Sequence, residues 1–439
     1  MARIRTLSSG LTRNQLWFAS MVCLPYVMYG VMLVIAYLIV TAMMQRGHQV
    51  WQKCIGTGFG WLTIGLLLSA SFGINRGESF LQLTNFLPFF VLWGVWVTSP
   101  AMITSPFAVL ERLARWLVLS AVPLCAIALI EYALKFEGLI PRIKASWLPM
   151  WLIEWLYEEP YFGHRARSLF DHPNVLSAYL VLVLGLGLGL VLKETVNRVS
   201  TTSNRVAANP SAVARYRLAL GLSVLLCLGA IFCTGSRNGL LIALVLVMIA
   251  LYMARRYKQV WISSVIGVGV LAGAINAFGI GGRSLSGDIF INDPRVRIWH
   301  LAIDMIYQRP WTGWGFSGLR ELYTPGSIPN NDSIYHAHNI WLFLASESGV
   351  PVMIGFSVIC GAIFYRALRT YFARKTGLPE GDRAILFSYL LAFFACLSFS
   401  LFDVVLFDAR LNIAAWGLLA ALYAMSAQGG NTSHRRNTP

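Results

Sequence analysis

Long apolar stretches alternate with short polar ones along almost the whole chain. A membrane-spanning helix needs about 20 mostly apolar residues. The pattern predicts spans at 55–72, 80–98, 116–134, 176–192, 217–234, 238–254, 260–280, 351–368, 385–402 and 411–426. The stretch 14–44 is too long for one ordinary span and is interrupted by Pro25 and Gly30. We therefore expect it to form two short, tilted helices.

Basic residues gather in three of the connecting segments, and they orient the chain. These residues are Lys193, Arg198, Arg205, Arg215, Arg217, Arg255, Arg256, Lys258, Arg366, Arg369, Arg374, Lys375 and Arg383. Because cytoplasmic loops of membrane proteins are enriched in Lys and Arg, we expect these segments to face the cytoplasm. Alternation then places 45–54 and both termini on the same side and predicts 12 spans.

The segments left on the outer side include two long ones, 135–175 and 281–339. We treat 1–439 as a single integral membrane domain with 281–339 as its main outer loop and 135–175 as a smaller outer segment. Residues 427–439 form a short polar tail on the inner side. The periodicity of the main loop predicts one helix, from Arg295 to Gln308, with Asn292-Asp293-Pro294 as its start.

The composition agrees with a membrane protein. Hydrophobic residues make up 57% of the chain and charged residues 12%, and the mean hydropathy is +0.62. A soluble domain carries about 25% charged residues. The fold class predicted is therefore an all-α polytopic membrane protein. The net charge of +16 reflects inner loops that can contact anionic lipid, so no nucleic-acid partner is expected.

Four arginines on the outer side depart from the positive-inside bias. Arg167, Arg237, Arg297 and Arg410 each lie beside a predicted span or on the loop helix. A guanidinium is permanently charged and can bind a phosphate through two hydrogen bonds. Several of them at one depth favour an anion site, such as the diphosphate headgroup of a lipid carrier.

An ordinary structural role remains open for each of these arginines. Lys and Arg side chains at a membrane boundary often extend into the headgroup region. Nearby carboxylates, Asp171 among them, could also neutralise some of the four. The sequence alone does not separate the two interpretations.

The segment HAHN, at 336–339, places two histidines at the start of an apolar stretch. His336 and His338 could bind zinc, but zinc needs a third ligand and Asp332 is the only nearby candidate. They could instead lie at the membrane interface, with Asn339 capping the next helix. A third interpretation is acid/base chemistry, because a neutral imidazole can accept a proton near pH 7.

Other common chemical signatures are absent from the sequence. There is no HExxH, no close acidic pair on the outer side, no P-loop and no GxSxG. We expect no metal and no cofactor. Glu347 could orient a neighbouring group or pair with an arginine, and it could equally be a solvated or capping residue.

Four segments, taken together and in order, resemble the O-antigen ligase/O-antigen polymerase superfamily. They are RSLFDHPN (167–174), TGSRNG (234–239), RVRIWHLAIDMIYQRPWTGWGFSG (295–318) and HAHNIWLFLASESGVP (336–351). The resemblance covers residues 160–410, whereas the first five spans match only in being hydrophobic. Within the superfamily, the chain is most like the O-antigen ligases.

The resemblance implies a multi-pass protein of the bacterial inner membrane, with its active site facing the periplasm. Its fold would be related to the GT-C-like membrane glycosyltransferases. The implied reaction transfers O-antigen from undecaprenyl diphosphate to a sugar hydroxyl of lipid A–core. Such ligases invert the anomeric centre and are regarded as metal-independent. The implied partners are therefore the lipid-linked glycan, lipid A–core and membrane lipids.

The same resemblance assigns roles to individual residues. His338 matches the histidine of the family's His-Asn motif and would be the general base. Arg237 and Arg167 match arginines that would hold the diphosphate, and Arg297 matches a loop-helix arginine less closely. Secondary candidates are His336, Asn339, Asp171, Arg410 and Glu347.

Other functions share parts of this pattern. An O-antigen polymerase uses the same donor with a second lipid-linked glycan as acceptor, but polymerases often have two comparable periplasmic loops. A protein O-oligosaccharyltransferase often has a larger soluble C-terminal region. A secondary transporter would also have 12 spans, but it should carry charges deep within them and show related halves.

Overall fold

The computed structural model describes residues 12–135, 139–144, 146–157, 163–201, 210–254, 294–328, 334–373 and 378–435, with the single positions 269 and 273. Within these ranges the chain is helical and no strand is present. The predicted span 260–280 lies outside the described residues, apart from those two positions. Of the predicted outer loop, 281–293 and 329–333 also lie outside them.

Ten helices form the part of the chain before residue 160. They are α1 (Arg13–Cys23), α2 (Met28–Thr57), α3 (Phe59–Phe72), α4 (Arg76–Gln82), α5 (Leu87–Val97), α6 (Pro100–Thr104), α7 (Pro106–Ser120), α8 (Val122–Leu134), α9 (Ile140–Lys144) and α10 (Met150–Tyr157). A short 3-10 turn, Leu83–Asn85, connects α4 to α5.

Nine further helices are described after residue 170. They are α11 (Pro173–Thr201), α12 (Pro210–Cys233), α13 (Arg237–Ala254), α14 (Pro294–Gln308), α15 (Gly318–Leu322), α16 (Ile340–Ser348), α17 (Val350–Phe372), α18 (Glu380–Phe399) and α19 (Ala409–Arg435). A 3-10 turn, Val405–Phe407, precedes α19. The last helix therefore continues into the predicted polar tail.

In the described ranges, nine helical stretches are long and apolar enough to cross a membrane. They are Met28–Thr57, Arg76–Val97, Pro106–Leu134, Pro173–Val196, Ser211–Cys233, Arg237–Ala254, Val350–Phe372, Glu380–Phe399 and Ala409–Gln428. Eight of them correspond to spans predicted from the apolar pattern. The all-α, polytopic class is confirmed.

The N-terminal region differs from the prediction. The stretch 14–44 does contain two helices, but α1 has only 11 residues, fewer than the about 20 that a span needs. Helix α2 continues through the predicted inner loop 45–54, with a kink at Arg46. The predicted span 55–72 is broken at Gly58, whose φ of 104° lies in the left-handed region. The polar residues of 45–54 had indicated a loop where the helix continues, and the unbroken apolar stretch after residue 54 had concealed the break at Gly58.

Helices α11, α18 and α19 form the centre of the bundle. Buried residues make up 78%, 72% and 72% of their most apolar windows, against 22% for α2 and α17. Helices α11 and α18 approach closely because α11 has glycine at two contact positions. A Cβ on Gly185 would lie 2.6 Å from the Ala392 nitrogen, and one on Gly189 would lie 2.1 Å from Ser388 Oγ. Small residues at such spacing let membrane helices pack backbone to backbone.

The helix predicted in the main outer loop is present as α14, one residue longer than expected. Its buried residues are Ile298, Ala302 and Met305, the inner part of the predicted apolar face. The indole of Trp299 donates a hydrogen bond to the Ala337 carbonyl at 3.0 Å. The outer-loop helix thus holds the backbone between the two histidines.

Candidate active site

The HAHN segment forms a turn that is held at three points. Asn339 caps α16, because its Oδ1 accepts hydrogen bonds from the backbone N–H groups of Trp341 and Leu342. The Ile340 N–H donates to the Ser400 carbonyl at 2.9 Å, which joins the turn to the segment after α18. His338 has a φ of 48°, a left-handed conformation that is uncommon for a residue with a side chain. The expected capping role of Asn339 is present.

His338 is hydrogen-bonded to Asp403, a residue that sequence reasoning missed. Nδ1 of His338 lies 3.2 Å from Oδ1 of Asp403, and the His338 side chain keeps 33% of its surface exposed. In the described part of the chain, no hydrogen bond is formed by Nε2 of His338. This arrangement favours the tautomer with the proton on Nδ1 and leaves the Nε2 lone pair for a substrate.

Asp403 is suited to remain ionised beside this histidine. Burial by itself would raise the pKa of the Asp403 carboxyl. The hydrogen bond with His338, and positive charge on His338, His336 and Arg295, outweigh burial and hold that pKa below its ordinary value. The Val404 N–H also donates to Oδ1 at 2.9 Å. An ionised Asp403 would stabilise an imidazolium formed at His338.

His336 occupies a different environment from His338. Its ring stacks on Phe407 at 5.1 Å between centroids, and its Nδ1 accepts the His338 N–H at 3.3 Å. Burial, together with the charges of His338 and Arg295, lowers the pKa of His336 to about 4, although Asp403 opposes the shift. His336 is therefore neutral near pH 7 and supports the turn.

The cluster also supplies the third metal ligand that the sequence lacked. One ligand atom from each of His336, His338 and Asp403 lies within 4.8 Å of the others, and they form the one such group found among the described residues. Asp332, the candidate named from sequence, lies outside the described residues. Two imidazoles and a carboxylate are a donor set that zinc accepts. Asp403 is therefore a candidate third ligand that the sequence did not single out, and the absence of a metal site stays a prediction.

Two more polar residues, His172 and Arg295, interact electrostatically with the histidine–aspartate pair. Burial, and then the charge of Arg165, lower the pKa of His172 to about 4. His338 and Arg295 lower this pKa further, and Asp403 opposes the shift. Arg295 acts electrostatically on His172, His336 and Asp403. His172 and Arg295 both lie in the segments that carry the family resemblance, but spacing alone did not single them out.

Arg167 and Arg237 lie in neighbouring loops that are joined by backbone hydrogen bonds. The Ala166 N–H donates to the Cys233 carbonyl at 2.9 Å, and Nε of Arg165 donates to the Thr234 carbonyl at 2.8 Å. Arg237 begins α13, and Arg167 is half-buried. The structure thus brings together the segments of two arginines predicted to hold a diphosphate.

A buried glutamate fixes the loop that carries Arg167. Oε2 of Glu131 accepts the backbone N–H of Arg167 at 3.0 Å and of Ser168 at 2.7 Å. Lys135 neutralises Glu131 at 2.7 Å and donates to the Arg165 carbonyl. Ser168, with a φ of 51°, makes the turn. Glu131 was not predicted, because it lies at the end of an apolar helix 36 residues before Arg167.

Arg297 and Arg410 are placed differently. Arg297 is exposed on α14, two residues from Arg295. Arg410 is 4% exposed and is bound by Asp408 and Asp171 at 2.6 and 3.1 Å. Its guanidinium also donates to the Leu169 carbonyl and lies over the Phe170 ring. Arg410 and Asp171 thus form an ion pair within the protein, which is the structural role that the sequence had left open.

Glu347 is fully buried and supports a backbone turn. Its carboxylate accepts the N–H groups of Ser317 and Leu319 at 2.8 and 3.1 Å. Burial raises the pKa of Glu347 to about 8 against the effect of these two hydrogen bonds. The carboxylate belongs to the scaffold beneath the HAHN turn, and the structure gives it no arginine partner among the described residues.

Comparison with known proteins gives one result. The O-antigen ligase family model matches residues 222–357, which include Arg237, α14 and the HAHN turn. No curated protein matches the chain. The matched region coincides with the later three of the four resembling segments. Residues 222–357 therefore match the O-antigen ligase family, and this match supports the resemblance to the O-antigen ligase/O-antigen polymerase superfamily.

Proposed function

We propose that this protein is an O-antigen ligase, which transfers O-antigen from undecaprenyl diphosphate to a sugar hydroxyl of lipid A–core at the periplasmic face. The superfamily supports glycosyl transfer of the ligase or polymerase type. The observation that carries the mechanism is the His338–Asp403 pair, which engages Nδ1 of a partly exposed His338 and leaves its Nε2 without a hydrogen bond among the described residues.

In this mechanism His338 is the general base. The acceptor hydroxyl oxygen attacks the anomeric carbon of the donor sugar, and its proton passes to Nε2 of His338. The bond between the anomeric carbon and the diphosphate oxygen breaks, with inversion, and undecaprenyl diphosphate leaves with the electron pair. Asp403 accepts the hydrogen bond from Nδ1 and stabilises the imidazolium. General-base catalysis typically contributes about 10²–10⁴-fold.

The arginines would stabilise the leaving diphosphate. Arg167 and Arg237 lie in adjoining loops, and Arg295 acts electrostatically on the catalytic pair. Donors aimed at charge that develops during a reaction lower its barrier without reorganising. We propose Arg295 as a further diphosphate ligand beside Arg167 and Arg237. Arg297 is exposed on α14 and would contact the diphosphate from the edge of the site.

The identity of the product tests this function. Purified full-length protein would be given a lipid-linked glycan with either lipid A–core or a second lipid-linked glycan as acceptor. We expect glycan on lipid A–core from the wild type and none from His338→Ala, with both proteins equally folded. Extension of the second lipid-linked glycan instead would identify a polymerase, and normal ligation by His338→Ala would overturn the base assignment.

Two additions test the electrostatic and metal interpretations. Arg237→Lys keeps the charge but loses the forked guanidinium, so we expect slower use of the donor. Wild-type rates in that variant would indicate a structural arginine. EDTA in the same assay tests the His336–His338–Asp403 group, and we expect activity to persist. Loss of activity that zinc restores would assign the cluster to a metal.

A further inference from the structure

A large cavity lies between the helices of the bundle, and no histidine lines it among the described residues. Its volume is about 530 Å³, and its walls come from α1, α2, α5, α6, α7, α11, α18 and α19. That volume lies within the range of about 300–1,000 Å³ typical of ligand sites. Helix α11 begins at Pro173, next to His172, and helix α19 begins at Ala409. Residues further along each helix line the cavity, within Tyr179–Leu186 and Ala414–Leu418.

Three arginines line this cavity without a carboxylate. They are Arg13, Arg46 and Arg112, and no Asp or Glu is among the described residues that line it. The acidic neighbour in α7, Glu111, is bound by Lys193 at 2.5 Å and by Arg115. The cavity therefore concentrates positive charge that the surrounding protein does not neutralise.

Arg46 is held at the wall with unused hydrogen-bonding capacity. It lies at the kink of α2, and its Nη2 donates to the Val95 carbonyl at 3.0 Å. Its Nε is buried and has no hydrogen-bond partner among the described residues. A buried donor without an acceptor is costly, so the site favours an acceptor entering the cavity.

Beyond the arginines the cavity is apolar. Leu182, Val183 and Leu186 line it along about 6 Å of α11, at 1.5 Å per residue. Trp17 and Trp96 pack edge to face at 5.7 Å on another wall. A ligand that fits both parts combines an anionic head with a hydrocarbon chain.

We infer that this cavity binds one anionic glycerophospholipid, with its phosphate at Arg13, Arg46 and Arg112 and an acyl chain along α11. Basic pockets between membrane helices recognise phospholipid headgroups in this way. The inference does not depend on the proposed transfer reaction. Residues 1–11 of the chain itself are a poorer occupant, because Arg3 and Arg5 would add positive charge to an already basic site.

Lipid retention by the purified full-length protein tests the inference. Wild type, Arg46→Gln/Arg112→Gln and the control Arg215→Gln would be equilibrated with phosphatidylglycerol or phosphatidylethanolamine and examined by native mass spectrometry. Arg215 is exposed and outside the cavity, and its replacement also removes one positive charge. We expect one phosphatidylglycerol on the wild type and control, and about 30-fold weaker retention by the double variant.

Other outcomes would overturn the inference. Equal retention of the two phospholipids by the wild type would show that the headgroup charge is not recognised. If Arg215→Gln lost as much phosphatidylglycerol as the double variant, the effect would come from net charge and not from the cavity. Lipid binding only after deletion of residues 2–11 would identify that segment as the occupant, and preference for undecaprenyl phosphate over phosphatidylglycerol would assign the cavity to a carrier lipid. Circular dichroism would confirm that each variant is folded.

Discussion

His336 and His338 are two residues apart in sequence but have different surroundings. His338 is hydrogen-bonded to an ionised carboxylate and partly exposed, whereas His336 is stacked on Phe407. Among the described residues, Nδ1 of His338 is hydrogen-bonded to Asp403, whereas Nε2 of His336 lies 4.0 Å from the same carboxylate, beyond hydrogen-bonding distance. The left-handed φ of His338 turns the two rings into this unequal arrangement.

Asp403 should act as a positioning residue for His338. We expect Asp403→Asn to lower kcat by about 10²–10⁴-fold with little change in KM, because the imidazolium would lose its negatively charged partner. Steady-state transfer assays on the purified variant measure this effect.

The control for Asp403 is Asp304→Asn, since Asp304 is exposed on α14. It should keep wild-type rates. A purely structural Asp403 would instead lower thermal stability and leave the pH dependence of kcat unchanged in the protein that remains folded. An altered pH profile in Asp403→Asn, with Asp403→Glu partly restoring the rate, supports positioning.

The buried histidines predict acid sensitivity. His172 and His336 both have a pKa of about 4 in the folded protein, against about 6.5 when unfolded. Between these values the unfolded chain binds more protons, so stability is complete above about pH 6.5 and falls as the pH is lowered towards 4. Thermal unfolding at about pH 7.5 and about pH 5 measures the difference.

Replacing both histidines should weaken this acid sensitivity. We expect His172→Gln/His336→Gln to show a smaller fall in melting temperature between the two pH values than the wild type. His48→Gln, at an exposed position of α2, is the matched control. An unchanged fall in the double variant would locate the acid-sensitive groups elsewhere.

Helix α16 is short, and the glycine-rich turn WTGWGFSG packs against its last turn. A Cβ on Gly313 would lie 2.4 Å from the Glu347 carbonyl, and one on Gly315 would lie 2.3 Å from Gly73. Both glycines also have positive φ. The WTGWGFSG turn therefore requires glycine at these positions, both for space and for backbone conformation. Its contacts hold α16, the helix that begins at the HAHN turn.

Glu347 should be essential to this packing. Glu347→Ala would leave the buried N–H groups of Ser317 and Leu319 without acceptors, at a cost of about 1–3 kcal/mol each. We expect a lower melting temperature, measured by thermal unfolding in detergent. The exposed Glu154→Ala should have little effect. Equal stability of the two variants would mean that other groups satisfy the turn.

The bundle as a whole contains two polar regions. The segment 163–174 is hydrogen-bonded to the turn before α13, and the HAHN turn is hydrogen-bonded to the segment after α18, whereas the basic cavity is lined by other residues. Helices α11, α18 and α19 form the buried centre of the bundle and also line the cavity.

Orientation in the membrane remains a prediction that labelling can test. Six of the seven cysteines are buried and Cys23 is exposed, so Cys23→Ser gives a suitable background. We expect Asp304→Cys to react with an impermeant maleimide in cells with a permeabilised outer membrane, because α14 should be periplasmic. Ala212→Cys should react only after the inner membrane is opened. The reverse pattern would contradict the positive-inside orientation.

The helical membrane class and the position of α14 could both be predicted from sequence. These features depend on local information, because span length, helix caps and prolines act over a few neighbouring residues. The break at Gly58 escaped the prediction, since an apolar run can continue across a break in the helix, and the kink at Arg46 escaped it because α2 continues as a helix through a polar stretch.

The partners of the key side chains required the tertiary structure. Asp403 follows His338 by 65 residues, and Asp171 precedes Arg410 by 239, so nothing in the local pattern marks either pair. One interaction gives a candidate base its carboxylate, and the other removes an arginine from the candidate anion site. Sequence determined which chemical groups the chain carries near the outer boundary. Packing of distant segments decided which of them are paired with each other and which remain available to a substrate.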